Sequence, residues 1–148
     1  MEKVVLPNEL LLGEVAQLLS QGREVVMIPK GISMLPFIRG EVDRVKLQRP
    51  AQLNVGDIVL AHFGGQYVMH RIIAIKDNTV VLMGDGNLQI TEQGSQSDVL
   101  GLVTEIIKPE NRRHRPGRAW LWRHTLPIRP YLLKLYRKWN KLIGKPIL

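Results

Sequence analysis

The length, composition and charge of the chain exclude several classes of protein. With 148 residues, of which 45% are hydrophobic, the chain can bury the core of one domain and is too apolar for a disordered protein. It has no cysteine, which excludes disulfide bonds and thiolate chemistry, and no apolar run reaches the ~18–20 residues that cross a bilayer. No signal-peptide pattern follows Met1, so we expect a cytoplasmic protein.

The net charge of +8 is concentrated at one end of the chain. Residues 1–110 contain all 13 Asp and Glu residues, whereas residues 111–148 contain 11 of the 21 Lys and Arg residues and no acid. We therefore predict a body over 1–110 and a basic, aromatic tail over 111–148. A basic tail seeks an anionic surface. We expect that partner to be a lipid membrane rather than nucleic acid, with the protein peripheral on the inner membrane face.

The first predicted element is an amphipathic helix over residues 8–22. Asn8 can cap its first turn and Gly22 can end it. Apolar residues recur at helical spacing on one face, which predicts a helix that packs on the body. The residues on that face are Leu11, Leu12, Val15, Leu18 and Leu19.

Residues 31–36 follow a short buried strand over 25–28 and place a serine in a tight turn. Gly31 permits backbone torsions that other residues avoid, and Pro36 fixes its own φ. Such a turn can expose the Ser33 hydroxyl and direct backbone N–H groups into one small volume. An acyl-transfer nucleophile and its oxyanion hole require this arrangement, although a lone Gly-x-Ser is more often a polar turn.

Short strands separated by turn signals follow as far as residue 107. The predicted strands cover the end of 39–47, then 57–63, 66–75, 79–83 and 99–107, with turns at 64–65, 77–78 and 84–87. A polar loop rich in Gln, Ser and Thr precedes the last strand. This pattern predicts a mainly β fold with a curled antiparallel sheet or partly open barrel.

A second helix is predicted in the tail, opened by Pro130 and closed by Gly144 with Pro146. Its apolar stripe is Leu132, Leu135, Trp139 and Leu142, and the lysine stripe opposite it is Lys134, Lys138, Lys141 and Lys145. All three tryptophans of the chain lie in the tail. Such a basic amphipathic helix either lies at a membrane interface or folds back on the β body with its lysines in water.

Three motifs occur in order along the body. The first is Gly31-x-Ser33-Met34-x-Pro36. The second is Gly-Asp-Ile-Val at 56–59 followed by Tyr-Val-Met-His-Arg-Ile-Ile at 67–73, and the third is Gly-Asp-Gly-Asn at 84–87. Together they resemble the signal peptidase I family and its wider LexA-like superfamily over about residues 25–107. The likeness is greatest to the branch of the endoplasmic reticulum and of spore-formers, in which His replaces the usual Lys.

The resemblance implies a β-rich catalytic core with Ser33 as the nucleophile and His70 as the general base. A neutral imidazole can accept a proton near neutral pH, which suits this pairing. His62, on the partner strand, is the rival base. We expect no cofactor, and the spacing of the four histidines suggests no metal site.

The third catalytic member is less well defined by the resemblance. In the His-type branch an Asp a few residues beyond the third motif completes a triad, but residues 88–92 here read Leu-Gln-Ile-Thr-Glu. Asp85 is the candidate, with Glu92, Asp98 or no residue as alternatives. Asp85 can equally be a turn residue that shapes the site through backbone hydrogen bonds.

These features predict a serine endopeptidase that uses a Ser-His dyad or triad to cleave a peptide or leader segment. The substrate would lie extended beside strand 25–28 as an added strand, with small residues near the cut by resemblance. The predicted substrate contacts are Val26, Ile28, Ile32 and Met34. The alternative is a catalytically degenerate peptidase fold that serves as a binding module and docks on membrane or nucleic acid through its basic tail.

Overall fold

The computed structural model describes residues 8–31, 33–86, 90–117 and 129–142. Within these ranges it contains two α-helices, α1 (Asn8–Ser20) and α2 (Arg129–Leu142), and one eight-stranded sheet. The strands are β1 (Val25–Met27), β2 (Arg44–Gln48), β3 (Ile58–Phe63), β4 (Gln66–Lys76), β5 (Thr79–Met83), β6 (Glu92–Ser95), β7 (Val99–Lys108) and β8 (Arg112–His114). The prediction of a mainly β fold is confirmed.

The sheet is antiparallel throughout and curls into a half-barrel. Its strand order is β1-β2-β7-β3-β4-β5-β6, and β8 pairs with the last residues of β7. The curl brings β6 against β3. The two strands are so close that a Cβ atom on Gly94 of β6 would overlap the ring of Phe63 of β3. A residue without a side chain is therefore needed where β6 crosses β3. The predicted curled antiparallel sheet is confirmed.

Strand β3 lies at the centre of the core because its first four residues are buried on both faces. Ile58 and Leu60 belong to one hydrophobic cluster, which also contains Val15 of α1. Val59 and Ala61 belong to a second cluster, on the other face. Successive side chains of a strand point to opposite faces, so the uninterrupted apolar run of β3 serves two cores.

Helix α1 packs on the sheet through the apolar face that its sequence predicts. Val15 and Leu19 are buried, and a Cβ atom on Gly101 of β7 would lie 2.8 Å from Leu19 Cδ1. Gly22 caps the helix just beyond Ser20, and its φ of +81° is the left-handed conformation that glycine favours. There the Arg23 N–H donates to Leu18 O (3.1 Å) and the Gly22 N–H to Leu19 O (2.9 Å), which is a Schellman motif.

Two strands lie in segments where the sequence predicts none. β6 falls in the predicted polar loop, and β8 falls in the basic segment after residue 110. β8 pairs with β7 through a turn in which Glu110 and Asn111 have positive φ values of 68° and 59°. The predicted boundary at residue 110 therefore lies inside the β7–β8 hairpin.

The tail helix is present as α2. Among the side chains of α2 that the structure describes, Leu133 is buried, whereas Tyr131 and Leu135 are exposed. Within the described ranges neither helix is both long and apolar enough to cross a membrane. The predictions for Trp120 and Trp122 and for the closing residues 144–146 lie outside the described residues.

Candidate active site

The loop after β1 positions Ser33 through close backbone contacts. Gly31 has a φ of +88°, so the sequence requirement for glycine at this turn is met. A Cβ atom on Gly40 would overlap the backbone of Gly31, so the two ends of the loop touch without side chains between them. The Glu41 N–H donates to Pro29 O at 2.7 Å and closes the same loop.

The third sequence motif fixes Ser33 from the other side. The Gly86 N–H donates to Ser33 O at 2.7 Å, which joins the 84–86 turn to the serine loop. Within the loop, the N–H groups of Phe37 and Ile38 both donate to Met34 O at 3.0 Å. The backbone around the hydroxyl is therefore held on both sides.

His70 of β4 lies between Ser33 and a carboxylate. Its Nε2 is 3.0 Å from Ser33 Oγ, and its Nδ1 is 2.5 Å from Glu92 Oε1. An ionised carboxylate only accepts hydrogen bonds, so in the neutral imidazole Nδ1 carries the proton and Nε2 is left to accept from the serine hydroxyl. The side chains of His70 and Glu92 are 11% and 20% exposed, which partly shields this line of groups from water.

Glu92 reaches the imidazole because of strand β6. Glu92 pairs with Leu82 of β5, and β5 pairs with the part of β4 that follows His70. Since both ring nitrogens of His70 are engaged, by Ser33 and Glu92, Asp85 does not orient the imidazole in this structure. Glu92 was only one of several sequence alternatives, because a Glu in a polar segment carries no pattern that marks it.

Asp85 forms a bidentate ion pair with Arg71, the residue that follows His70 in β4. Arg71 Nε and Nη2 donate to the two carboxylate oxygens, each at 2.7 Å, and the side chains are 1% and 3% exposed. Arg71 Nη1 also donates to the carbonyls of Gly56 and Gly117, both at 2.7 Å. The guanidinium carbon lies 5.1 Å from the centre of the Phe37 ring, a cation–π contact. One buried side chain therefore joins the second and third motifs to the chain beyond β8.

A cleft of about 180 Å³ opens beside Ser33 and His70. Its walls are the loop over 29–40 and the first residues of β4. Of the predicted substrate contacts, Met34 lines this cleft, although it is only 5% exposed and packs mainly in the core. Val26 lies in β1 and Ile28 just after it, outside the lining of the cleft, and Ile32 lies outside the described residues.

The far end of the serine loop is held by the buried carboxylate of Asp43. It accepts hydrogen bonds from the Arg39 N–H (2.8 Å), Arg39 Nη2 (3.0 Å) and Lys108 Nζ (2.6 Å). Burial raises the pKa of Asp43, but the hydrogen bonds from Arg39 and Lys108 outweigh it and hold the pKa below its ordinary value. Lys108 Nζ also donates to Phe37 O at 2.9 Å, so β7 is tied directly to the loop.

The other sequence candidates lie elsewhere. His62, the rival base, is exposed on β3 and stacks on Tyr67 with ring centres 4.3 Å apart. Asp98 is exposed in a short 3-10 helix over Gln96–Asp98. Among the described side chains, no group of three or more His, Cys, Asp or Glu residues could hold a metal ion.

The site thus contains a serine hydroxyl, an imidazole and a carboxylate in hydrogen-bonded series beside a small cleft. This series can remove a proton from the hydroxyl and stabilise the imidazolium that results. The backbone that positions the hydroxyl is braced by a buried ion pair that takes no part in the series. No protein-family model matches the chain, and no curated protein matches its sequence.

Proposed function

We propose that this protein is a serine endopeptidase of the signal-peptidase and LexA-like type. The observation that supports this most strongly is the series Ser33–His70–Glu92, with separations of 3.0 and 2.5 Å. The 3.0 Å between His70 Nε2 and Ser33 Oγ falls in the ~2.6–3.2 Å range in which a general base takes the proton of a nucleophile. The order of the three sequence motifs supports the family type.

In the proposed mechanism Ser33 Oγ attacks the scissile carbonyl while its proton moves to His70 Nε2. Glu92 accepts the Nδ1–H hydrogen bond and stabilises the positive imidazolium. His70 then returns the proton to the leaving amine as the C–N bond of the tetrahedral intermediate breaks, which leaves an acyl-Ser33 intermediate. Water, deprotonated by the same imidazole, releases the second product and restores the serine.

The developing oxyanion needs donors that are not already used. Among the described residues no backbone carbonyl accepts a hydrogen bond from the Ser33 N–H, and we propose this N–H as one of the donors. The turn that begins at Gly31 holds this N–H beside the hydroxyl. A donor from the substrate side of the cleft or from the same loop would complete the hole.

The proposed substrate is an extended peptide that adds a strand to β1. Among the described strands β1 has one partner, β2, and its other edge is open. A peptide on that edge would enter the cleft between the serine loop and β4. The cleft of about 180 Å³ would receive the side chains next to the scissile bond, which we expect to be small by the family resemblance.

The test uses a fluorophosphonate probe and a peptide library with small residues near the middle of each peptide. Wild type should label on serine and cleave. Ser33→Ala and His70→Ala should each lose about 10³-fold or more, and the double variant should be little worse, because residues of one catalytic unit are not additive. Ser20→Ala and His62→Ala are the matched controls and should retain activity.

Two results would contradict the proposal. A folded wild-type protein that neither labels nor cleaves would favour the binding-module alternative. A loss of activity in His62→Ala that His70→Ala does not share would mean that the base is a different histidine. Comparison of protein termini in cells with wild type and with Ser33→Ala would then identify the natural substrate.

A further inference from the structure

The tail helix α2 has two unlike faces. Leu133 is 4% exposed, whereas Tyr131 and Leu135 are 70% and 63% exposed. Tyr131 and Leu135 are four residues apart, so they are neighbours on one side of the helix, roughly opposite Leu133. The sequence pattern places Leu135 in an apolar stripe but does not show that this side chain faces solvent.

Two exposed lysines lie on the same side as Tyr131 and Leu135, whereas the sequence pattern predicts the lysines opposite the stripe that contains Leu135. Lys134 and Lys138 are also four residues apart, and at 100° per residue they border the two apolar side chains. These four residues are called the apolar–lysine face. No acidic residue of the tail offsets the charge of this face, because residues 111–148 contain 11 Lys and Arg residues and no Asp or Glu.

We propose that the apolar–lysine face docks on the surface of a bilayer that contains anionic lipid, with α2 parallel to the membrane plane. Leu and Tyr enter the headgroup boundary, and the lysines bind lipid phosphates. Nucleic acid would satisfy the lysines through its phosphates but would give no role to the exposed Leu135. This inference is independent of the proposed peptidase activity.

The experiment measures sedimentation of the full chain with vesicles. We expect binding to vesicles of phosphatidylglycerol and phosphatidylcholine, little binding to phosphatidylcholine alone, and weakening by salt. Lys134→Ala with Lys138→Ala should lower partitioning by about 10–30-fold, because each lysine near an anionic surface contributes ~1 kcal/mol. Tyr131→Ser with Leu135→Ser should lower it by about tenfold or more.

Matched controls test whether vesicle binding depends on the apolar–lysine face or on any exposed lysine or apolar side chain. Lys76→Ala removes an exposed lysine from the end of β4, and Ile90→Ser removes the other large exposed apolar side chain among the described residues. Both should bind vesicles as wild type does. Lys134→Arg with Lys138→Arg keeps the charge and should also bind normally, which guards against loss of the helix as the cause.

Three results would overturn the inference. Equal binding to neutral and anionic vesicles would remove the role of the lysines. Unchanged binding by both pairs of face variants would place the contact elsewhere on the protein. Tight, salt-sensitive binding to duplex DNA without vesicle binding would identify nucleic acid as the partner.

Discussion

Two acid–base pairs begin at adjacent residues of β4 and behave differently. His70 pairs with Glu92 and borders the cleft, with side chains 11% and 20% exposed. Arg71 pairs with Asp85 and is sealed, with side chains 1% and 3% exposed. Because successive strand residues point to opposite faces, one strand supports a titratable group on one side and a permanent charge on the other.

The difference reflects what each base can do. An imidazole gains and loses a proton near neutral pH, and His70 lies beside the cleft with its Nε2 3.0 Å from Ser33 Oγ, the placement that a proton exchange would require. A guanidinium does not lose its proton in proteins, and Arg71 uses its fixed donors to hold Asp85 and two backbone carbonyls. The pair beside the cleft fits a chemical role, and the fully buried pair fits a positioning role.

The largest expected effect is on turnover, from Glu92→Gln. A neutral amide cannot stabilise the imidazolium, and it allows the wrong imidazole tautomer, so activity should fall by up to about 10⁴-fold. The melting temperature should change little, because Glu92 is partly exposed on a short strand. Steady-state kinetics and thermal unfolding test this together, with Gln93→Glu as an exposed neighbour control. Near wild-type turnover in Glu92→Gln would remove Glu92 from the mechanism.

The second prediction concerns the buried pair. Asp85→Asn leaves the Arg71 guanidinium without its counter-charge, which should lower the free energy of unfolding by about 3–5 kcal/mol. Urea unfolding of the full chain measures this, and Asp98→Asn, an exposed aspartate, should be nearly neutral. If Asp85→Asn keeps its stability and still loses activity, Asp85 belongs to the chemistry, and the division between the pairs fails.

The third prediction extends the comparison to Asp43, which is buried like Asp85. Its folded-state pKa lies below the ordinary value, so its stabilising contribution is full above the unfolded pKa and is lost as pH falls through the folded pKa. Asp43→Asn should cost about 1.5–3 kcal/mol at neutral pH and flatten the acid side of the stability profile. Unfolding free energies from pH 7 down to pH 2 measure both effects. Asp77→Asn, in an exposed turn, should keep the wild-type slope.

The smallest expected effect comes from Gly40→Ala, which tests how far the cleft-side pair depends on its loop. The added Cβ would overlap the backbone of Gly31, so the loop must shift at a cost of about 1–3 kcal/mol. Ser33 should move with it, and turnover should fall further than the unfolded fraction explains. Gly13→Ala, in the middle of α1 with only Tyr67 Oη near, at 3.8 Å, should not destabilise. Normal turnover in Gly40→Ala would show that the Ser33–His70 contact tolerates loop movement.

The sequence predicts the strands that carry an apolar pattern. The strand over 79–83 has the bounds of β5, and the predicted strands for β3, β4 and β7 differ from the structure by one residue at one end. Each is an apolar or alternating run between turn residues such as Gly64 and Gly65, which have positive φ. The Gly31 turn follows from the same kind of local signal.

The missing parts of the site depend on contacts between distant segments. β6 reads Glu-Gln-Gly-Ser and has no apolar alternation, so only its pairing with β5 makes it a strand. Glu92 rather than Asp85 contacts the His70 imidazole because that pairing places Glu92 beside His70 and because Asp85 is the counter-charge of Arg71. The need for glycine at position 94 exists only because the sheet curls onto Phe63. None of these is a property of the local sequence.

The hydrogen bond from Arg71 to the Gly117 carbonyl limits how much can be removed from the C-terminal end of the chain. A fragment that stops at residue 110 would lose β8 and would leave a buried guanidinium with one acceptor fewer. A fragment that continues through residue 117 keeps every described partner of Arg71. Limited proteolysis that removes the tail should therefore leave a stable product only when the cut falls beyond Gly117, whatever the charge distribution suggests.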